Sequence, residues 1–331
     1  FNFSNMKKKH LKFLCDPITK ADLVLEEAKY IGEEIDSGVL RSPDNCYVIR
    51  QGIPRFVNDE GYSDNFGYQW NRWSKIQFED ENIGKPMQGH TTRMFESITQ
   101  FSAEKINGKT VLDVGCGPGR FTDVAASMGA TVIALDYSSA IDAAKANFAG
   151  KDVDICFVQG DALQSPIKSD CVDNAFSIGV LHHTPSPEKG VQEVFRVLKN
   201  DGEFAIRVYA AKGFYTYPMV CFWRNIFIKL RPVCGHYPPL IYSYLFGTLG
   251  FILGKIWRPL SYPLRAIFPT AFLPDYQWMI LETFDAISTS YQSGHVPSEI
   301  KQWLNNSGFK KIIHVKDNDF IGTKFVDSIS Q

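Results

Sequence analysis

The chain has 331 residues, a formal net charge of −1 and 44% hydrophobic residues. This length is enough for one large domain or for a typical domain with smaller additions. The near-neutral charge argues against a protein that binds nucleic acid or acidic membranes by general attraction. The seven cysteines lack a regular spacing and the apolar stretch after Lys7–Lys9 is too broken for a secretion signal. We therefore expect reduced thiols and a cytoplasmic location.

The first hundred residues contain a small leading unit and a connector. Residues 10–57 hold short β-type pieces such as CYVI, and a polar, aromatic segment, GYSDNFGYQWNRW, follows at 61–73. From Thr91 to Phe101 the apolar residues recur at helical spacing, which predicts a helix there.

From residue 109, short strand-like runs alternate with helix-like segments. The predicted strands are TVLDV, TVIALD, ICFVQGD, NAFSIGV and EFAIRVYA, with helices between them at Ser138–Phe148 and Ser186–Leu198. This alternation predicts a parallel sheet with helices on both faces.

A long aromatic insertion interrupts the alternation after the fifth strand. A predicted helix at Pro297–Ser307 and the strand-like runs FKKIIHVK and DFIGTKF then close the chain. Only Asp317 and Asn318 separate the two runs, and such a short turn predicts an antiparallel pair.

Three glycines at alternate positions follow the first predicted strand, in TVLDVGCGPGRF. Gly115, Gly117 and Gly119 carry no Cβ where the strand turns into a helix, so a ligand can approach the backbone closely. Asp136 ends the next strand about 20 residues later, the position that binds ribose hydroxyls in dinucleotide folds. The pattern predicts a nucleoside site, and the alternative is a tight packing turn without a ligand.

Three details favour a cationic, adenosine-bearing ligand over NAD. The third glycine follows the second by two residues, where the dinucleotide fingerprint has three. Asp113 ends the first strand, where its carboxylate would repel a pyrophosphate and attract an ammonium group. Asp161 ends the third strand beside Ala162, in a position suited to an adenine edge.

Several motifs in this order resemble those of class I S-adenosylmethionine-dependent methyltransferases of the type 11 group. The resemblance covers residues 92–210 and resumes at 297–325, and its motifs are VLDVGCGPGRF, ALDYS, QGDA, FSIGVLHHTPSP and VLKNDGEFAI. It implies an α/β fold with a doubly wound, seven-stranded, mostly parallel sheet whose last strand is antiparallel. It also implies S-adenosylmethionine as the cofactor and S-adenosylhomocysteine as the product.

The resemblance implies a role for each matching residue. Asp113 would contact the methionine amino group, the three glycines would pass under the methionine and ribose, and Asp136 would bind the ribose hydroxyls. The other implied cofactor contacts are Tyr137, Asp161 and Ala162 around the adenine, Ser177, Ile178 and Gly179 on the methionine side, and Cys116 and Ser138 beside the two motifs.

His182 and His183 follow the fourth strand, next to the expected position of the methyl group. A sulfonium methyl group is already activated, so transfer mainly needs in-line placement and, for some nucleophiles, a base. An imidazole could be that catalytic base near neutral pH. The interpretation that we favour is that His182 shapes the site and His183 caps the next helix or packs.

Several polar and aromatic residues outside these motifs are candidate substrate contacts. Segments ahead of the first strand often fold over the cofactor in the family, although a packing strap across the sheet edge is the alternative. The candidates are Tyr68, Trp70 and Arg93, with Gln69 beside them, and Asp285, Tyr291 and His295 near the end of the insertion.

The leading unit, with LKFLCDPITKADL and GVLRSPDNCYVIRQGIPRFV, resembles a Trm112-like zinc ribbon. A closed zinc site needs four ligands. Cys15 is present, but Ile18 stands where its partner is expected. Leu40 and Pro43 replace the second pair, and Cys46 is out of register. We predict a degenerate unit that binds no metal and that is kept by packing or as a docking surface.

The insertion at 211–296 carries only basic charges before Asp275, and residues 232–254 contain no Asp, Glu, Lys or Arg. That length approaches a bilayer span, but a span would separate the closing strands from their sheet. A lid over an apolar substrate is the favoured interpretation. Peripheral contact with the inner membrane face through 232–258, a homodimer face and a buried helical subdomain are the alternatives.

The sequence thus predicts methyl transfer to a small, apolar or lipid-linked acceptor, at oxygen or carbon, without nucleic acid as a partner. The alternatives are a protein or RNA methyltransferase that works with a partner, a catalytically silent cofactor-binding protein and, more distantly, an NAD oxidoreductase. The predicted units are 1–60 (leading unit), 61–108 (connector and first helices), 109–210 (cofactor-binding core), 211–296 (aromatic helical cap) and 297–331 (last helix and closing hairpin).

Overall fold

The computed structural model describes residues 5–57 and 64–325. Within them, one mixed β-sheet runs through the molecule. In chain order its strands are β1 (Met6–Lys7), β2 (Val24–Ile31), β3 (Glu34–Arg41), β4 (Cys46–Arg50), β5 (Ile53–Arg55), β6 (Thr110–Val114), β7 (Thr131–Asp136), β8 (Ile155–Gln159), β9 (Val172–Ile178), β10 (Leu198–Arg207), β11 (Lys311–Lys316) and β12 (Asp319–Thr323).

Helices cover both faces of this sheet and form the cap. The α-helices are α1 (Asp64–Arg72), α2 (His90–Thr99), α3 (Ala103–Ile106), α4 (Arg120–Ser127), α5 (Ala140–Asn147), α6 (Pro187–Val197), α7 (Pro218–Cys234), α8 (Tyr237–Ile256), α9 (Ser261–Ile267), α10 (Tyr276–Ser288) and α11 (Pro297–Ser307).

Seven strands form the core of the sheet, in the order β8–β7–β6–β9–β10–β12–β11. The first five are parallel, and β12 runs antiparallel to both β10 and β11. This confirms the predicted seven-stranded, mostly parallel sheet with an antiparallel last strand. The chain leaves β6 towards β7 on one side and β9 lies on the other, so the crevice at the carboxyl ends of these strands is where such sheets bind ligands.

The core strands bury both faces because their side chains alternate between two apolar layers. On β6, Val111 packs with residues of α2, α4 and α5, whereas Leu112 packs on the opposite face with residues of α6 and α11. The repeated alternation along β7 fixes the register, because a slip of one residue would exchange the two faces.

The predicted helices form with small shifts at their ends. The helix predicted from Ser138 begins at Ala140, because the backbone N–H and the hydroxyl of Ser138 both donate to the Asp136 carboxylate and hold a turn. The helix predicted to reach Phe101 ends at Thr99, since Gln100 adopts a left-handed conformation with φ of 52°.

The leading unit extends the core sheet at its β8 edge. β5 joins β8 through the pair Arg55 and Gln159, and the backbone N–H of Phe56 donates to the Gln159 carbonyl at 2.8 Å. In this way strands β1–β5 belong to the same continuous sheet as the core.

A buried carboxylate holds together the two loops where the resemblance places the ribbon's ligands. Asp16 accepts hydrogen bonds from the backbone of Ile18 and Thr19 in one loop. It also accepts hydrogen bonds from the side chains of Ser42 and Asn45 in the other. Burial alone would raise the pKa of Asp16, but these hydrogen bonds outweigh it and hold the pKa well below the ordinary value. The hydrogen bonds to Asp16 therefore connect the two loops. The absence of zinc stays a prediction.

The cap is built around α10, which is buried along nearly its whole length between α7, α8 and the connector helix α1. Helix α8 is long and apolar enough to cross a membrane by length and composition alone. Its inner face, with Leu240, Ser243 and Gly247, is buried. A methyl group at Gly247 would lie 2.6 Å from the Ile280 side chain, so α8 and α10 cross in close contact.

Candidate functional site

A cavity of about 870 Å³ lies where the carboxyl ends of the core strands meet the cap. At one end its wall includes Gly115 and Gly117, which follow β6, together with Asp136 at the end of β7. At the other end its wall is formed by the segment 269–273 and by α10. We call these parts the glycine end and the cap end.

The glycine end depends on a turn that only glycine fits. Gly115 has a φ of +78°, and a Cβ at this position would lie 2.2 Å from the Val180 side chain. A Cβ at Gly117 would lie 3.2 Å from Trp70 Nε1, since α1 places the Trp70 ring against the turn. Gly115 and Gly117 therefore lie close against Val180 and Trp70, and both also line the cavity.

Asp136 holds this turn in place. Its Oδ2 accepts the Gly117 N–H at 2.8 Å, and its Oδ1 accepts the N–H and the hydroxyl of Ser138 at 2.9 and 2.8 Å. The carboxylate therefore has a local structural role in addition to the ribose contact that the sequence predicts for it.

Asp113 is buried next to the turn, where the Thr122 hydroxyl donates to its Oδ2 at 2.6 Å. Burial raises the pKa of Asp113 to about 7, and the nearby Asp136 carboxylate acts in the same direction. A cation bound beside it would favour the ionised form.

The structure brings most of the predicted cofactor residues together, although their contacts with a cofactor stay predictions. Those that line the cavity are Gly115, Cys116, Gly117, Asp136, Tyr137, Ala162, Ile178 and Gly179. Those that support the site without lining the cavity are Asp113, Gly119, Ser138, Asp161 and Ser177.

The two predicted catalytic histidines differ in position. His182 is fully buried and does not line the cavity; its Nδ1 accepts the backbone N–H of Tyr209, and its ring is tilted against the Tyr209 ring with 3.8 Å between the ring centroids. His183 does line the cavity, but its Nδ1 donates to the Tyr291 carbonyl and burial lowers its pKa to about 4. His182 therefore packs against Tyr209, and the roles predicted for both histidines stay predictions.

Of the six predicted substrate contacts, Trp70 and Asp285 line the cavity and four do not. Tyr68 stacks on His236 at 4.5 Å, and Arg93 donates to the Gln88 carbonyl. Tyr291 is exposed on the surface, and the His295 ring forms hydrogen bonds with Ser293 and Glu299. Both side chains therefore lie outside the cavity. The prediction of substrate contacts by these four side chains does not fit the structure.

A group of polar side chains, which we call the polar cluster, lines the cavity at the cap end. Glu282 accepts from Tyr215 Oη at 2.6 Å and from Gln77 Nε2 at 3.1 Å. Asp285, one helical turn further along α10, accepts from Gln69 Nε2 at 3.1 Å and from Tyr209 Oη at 3.2 Å. The members of the polar cluster are Gln69, Gln77, Tyr209, Tyr215, Glu282 and Asp285.

Burial raises the pKa of both carboxyl groups of the polar cluster, and for Glu282 repulsion from Asp285 adds to the increase. Arg120 also lines the cavity, and its charge acts to lower the pKa of both carboxyl groups. Two interacting buried carboxyl groups titrate as a pair rather than one by one.

Sequence reasoning missed most of this cluster. The spacing Glu-x-x-Asp at 282 and 285 was an available signal, because residues three apart lie on one face of a helix. Gln77, Tyr209 and Tyr215 carried no signal, since they lie in irregular segments that only the fold brings together.

Comparison with known proteins agrees with the geometry of the glycine end. Residues 112–206 match the methyltransferase domain family. The matched segment runs from β6 to β10 and contains the glycine turn, Asp136 and both histidines. S-Adenosylmethionine is the cofactor of such domains. The glycine turn, with Asp113 and Asp136 beside it, fits a ligand that carries a ribose and a cation. The residues that would hold it are those of the predicted cofactor set.

The relatives of the methyltransferase domain act on varied substrates. The sterol 24-C-methyltransferase of Pneumocystis carinii is 36% identical over 104 residues, which cover 30% of this chain and 27% of that protein. The demethylmenaquinone methyltransferase of Clavibacter sepedonicus is 30% identical over 115 residues, which cover 34% and 46%. The solved phosphoethanolamine N-methyltransferase 2 of Haemonchus contortus superposes with a TM-score of 0.46 at 15% identity, over 80% of this chain and 48% of that one. The chain spans about half the length, or less, of these proteins.

Proposed function

We propose that this protein transfers a methyl group from S-adenosylmethionine to a small acceptor that is mainly apolar or lipid-linked. The observation that carries the proposal is the continuity of the cavity from the glycine turn to the cap. One cavity is lined by both Gly115 and Phe272, so cofactor and acceptor can lie side by side in it.

The wall of the cavity between its two ends supports an apolar acceptor. It is lined by Phe66, Met87 and Met94 from the segments ahead of β6, and by Phe214 and Leu273 from the cap. Apolar walls with a few polar anchors are typical of small-molecule sites. The similarity to a sterol 24-C-methyltransferase and to a demethylmenaquinone methyltransferase also favours an apolar acceptor.

The proposal is tested by following a labelled methyl group. The purified protein is incubated with labelled S-adenosylmethionine and an extract of the source cells, and the extract is then partitioned between water and an organic solvent. We expect label in the organic phase. Label in protein or RNA would favour the alternative of a macromolecular substrate, and cofactor binding without any label transfer would favour a silent binding protein.

The leading unit supports the alternative of a partner-dependent enzyme only by its resemblance to a Trm112-like unit. In this chain it is joined to the core sheet through β5 and β8. We propose that it is a degenerate relic that stabilises the sheet edge. Stoichiometric zinc in the purified protein would contradict this proposal.

We further propose that the protein works in the cytoplasm and docks through its cap on the inner membrane face. Helix α8 exposes a stripe at helical spacing, with Ile241, Leu245, Leu249, Ile252 and Ile256. No acidic residue occurs between positions 204 and 274, and Lys255 and Arg258 flank the end of the stripe. Exposed apolar residues with basic neighbours favour an anionic lipid surface.

Vesicle sedimentation tests this docking. The protein should pellet with vesicles that contain phosphatidylglycerol and much less with pure phosphatidylcholine vesicles. The double variant Leu245→Glu, Leu249→Glu should stay in solution, whereas Ile83→Glu, at an exposed apolar site outside the stripe, should pellet like the wild type. A stable dimer that the double variant dissociates would instead identify the stripe as a homodimer face.

A further inference from the structure

The cap end of the cavity presents hydrogen-bond acceptors that have no donor. Gln69 and Gln77 are 0% and 2% exposed, and the Oε1 atom of each lacks a hydrogen-bond partner among the described residues. Their Nε2 atoms donate to Asp285 and Glu282, and a flipped amide would place an oxygen against a carboxylate, so the orientation is determined. Unpaired buried acceptors are costly. Both amides line the cavity, where a ligand that donates hydrogen bonds would pair them.

Two arginines and a histidine are among the basic residues around the polar cluster. Arg224 of α7 lies near Asp285, but its Nε and Nη2 donate to the backbone carbonyls of Ala286 and Tyr215. Arg120 of α4 lies near both carboxyl groups without a hydrogen bond to either. His90 of α2 also lines the cavity, and burial lowers its pKa, so it is neutral at pH 7. The remaining neighbours are the neutral hydroxyls of Tyr209 and Tyr215.

We propose that the polar cluster binds a hydroxyl group of the acceptor and that Asp285 takes the hydroxyl proton during methyl transfer. This inference rests on the proposed function. The acceptor oxygen forms a bond to the methyl carbon, the sulfur keeps the electron pair of the broken bond, and the hydroxyl proton moves to an Asp285 carboxylate oxygen. The Asp285 carboxylate thus gains one proton, and the charge of the sulfonium is neutralised.

Asp285 is the better proton acceptor of the pair. Its hydrogen bonds, at 3.1 and 3.2 Å, are longer than the 2.6 Å bond from Tyr215 that holds Glu282, so its lone pairs are less engaged. Glu282 is then the positioning residue, because Tyr215 and Gln77 hold its carboxyl group one helical turn from Asp285. His183, the only predicted catalytic histidine that lines the cavity, donates its Nδ1 proton to Tyr291 and binds a proton poorly.

The chemistry of the cluster also selects among acceptors. A neutral amine already presents a lone pair and needs no base before attack. A carboxylic acid would be ionised, so it brings neither a donor for the unpaired amide oxygens nor a proton that must leave. A phenol or an enol carries a donor that fits the unpaired oxygens and a proton that must leave, so it uses every feature of the cluster.

The experiment compares matched probes with one polar group each: 4-butylphenol, 4-octylphenol and 4-dodecylphenol against 4-octylaniline and 4-octylbenzoic acid. Methyl transfer from labelled S-adenosylmethionine is measured for each probe, and cofactor affinity is measured by calorimetry. We expect label on the oxygen of at least one phenol and none on the aniline or the acid. Transfer to the aniline alone, or to no phenol, would overturn the inference.

Variants assign the roles. Asp285→Asn should lower kcat/KM for the phenol by about 10²–10⁴-fold and change cofactor affinity by less than about twofold.

Tyr215→Phe removes a hydrogen-bond donor from Glu282 and so raises the pKa of the carboxyl pair. The acidic limb of the pH–rate profile should therefore move to higher pH. Glu104→Gln, at an exposed site on α3, should behave as wild type.

The outcomes separate this inference from the proposed function. A wild-type protein that labels lipids of the extract but no phenol retains the proposed function and loses the hydroxyl site. An Asp285→Asn protein with full activity, or a Tyr215→Phe protein with an unchanged pH profile, overturns the role of the cluster in proton transfer. A wild-type protein that binds no S-adenosylmethionine overturns both proposals.

Discussion

The two ends of the cavity are built in different ways. The glycine end is made largely by the backbone of one continuous stretch, the turn from β6 to α4, with Asp136 as its side-chain support. The cap end is made by six side chains that come from α1, the connector, the segment after β10 and α10. A site made of local backbone leaves a pattern in the sequence, whereas a site assembled from distant side chains does not. Four predictions test this difference.

The largest effect is expected at the support of the glycine turn. Asp136→Ala removes the acceptor of the Gly117 N–H and the predicted ribose contact together, so cofactor affinity should fall about 100-fold or more. Calorimetry with S-adenosylmethionine measures this loss. Asp152→Ala, at an exposed site, is the control and should bind normally. An Asp136→Ala protein with wild-type affinity would refute the assignment of the site.

Two glycines with the same φ allow the cost of backbone strain to be measured apart from the cost of a steric clash. Gly115 and Gly179 both have a φ of +78°, but a Cβ would meet Val180 at 2.2 Å in the first and nothing within 4 Å in the second. We expect Gly115→Ala to lower the free energy of unfolding by about 3 kcal/mol and Gly179→Ala by about 1 kcal/mol. Urea unfolding measures both, and Val180→Ala should partly restore Gly115→Ala. Equal losses of unfolding free energy in the two variants would show that the contact with Val180 does not limit the side chain at position 115.

Cofactor affinity should depend on pH through Asp113. If the ionised carboxylate binds the cofactor's ammonium group, affinity is complete above the pKa of about 7 and is lost as the pH falls through it. Affinity at pH 6 should be about tenfold lower than at pH 8. Asp113→Asn should bind weakly at both pH values and remove this dependence. A flat profile for the wild type would place the ammonium group elsewhere.

The smallest effect on the cofactor is expected from the cap end. Tyr209→Phe removes one hydroxyl that donates to Asp285 at 3.2 Å, so S-adenosylmethionine affinity should change by less than about twofold. Calorimetry with the same ligand gives the comparison with Asp136→Ala. A tenfold change in S-adenosylmethionine affinity would show that the polar cluster also holds the cofactor, so that the two ends of the cavity do not act separately.

The core of the fold could be predicted because its signals are local. Val111 and Leu112 face opposite apolar layers, and the short turn at Asp317 and Asn318 requires an antiparallel pair. The substrate contacts were predicted less well, because Tyr291 and His295 are polar residues near the sheet whose side chains turn away from the cavity. Nothing in a sequence window shows which side of a loop will face a pocket.

The sequence alone determined the parallel sheet, its antiparallel last strand, the glycine turn and the acidic residues beside it. Each follows from periodicity, steric freedom or charge within a few neighbouring residues. Only the tertiary structure decided that His182 supports Tyr209 and that Gln69, Gln77 and the Glu282–Asp285 pair meet at one end of the cavity. The burial and the mutual repulsion that raise the pKa of the two carboxyl groups exist only once distant segments pack around them.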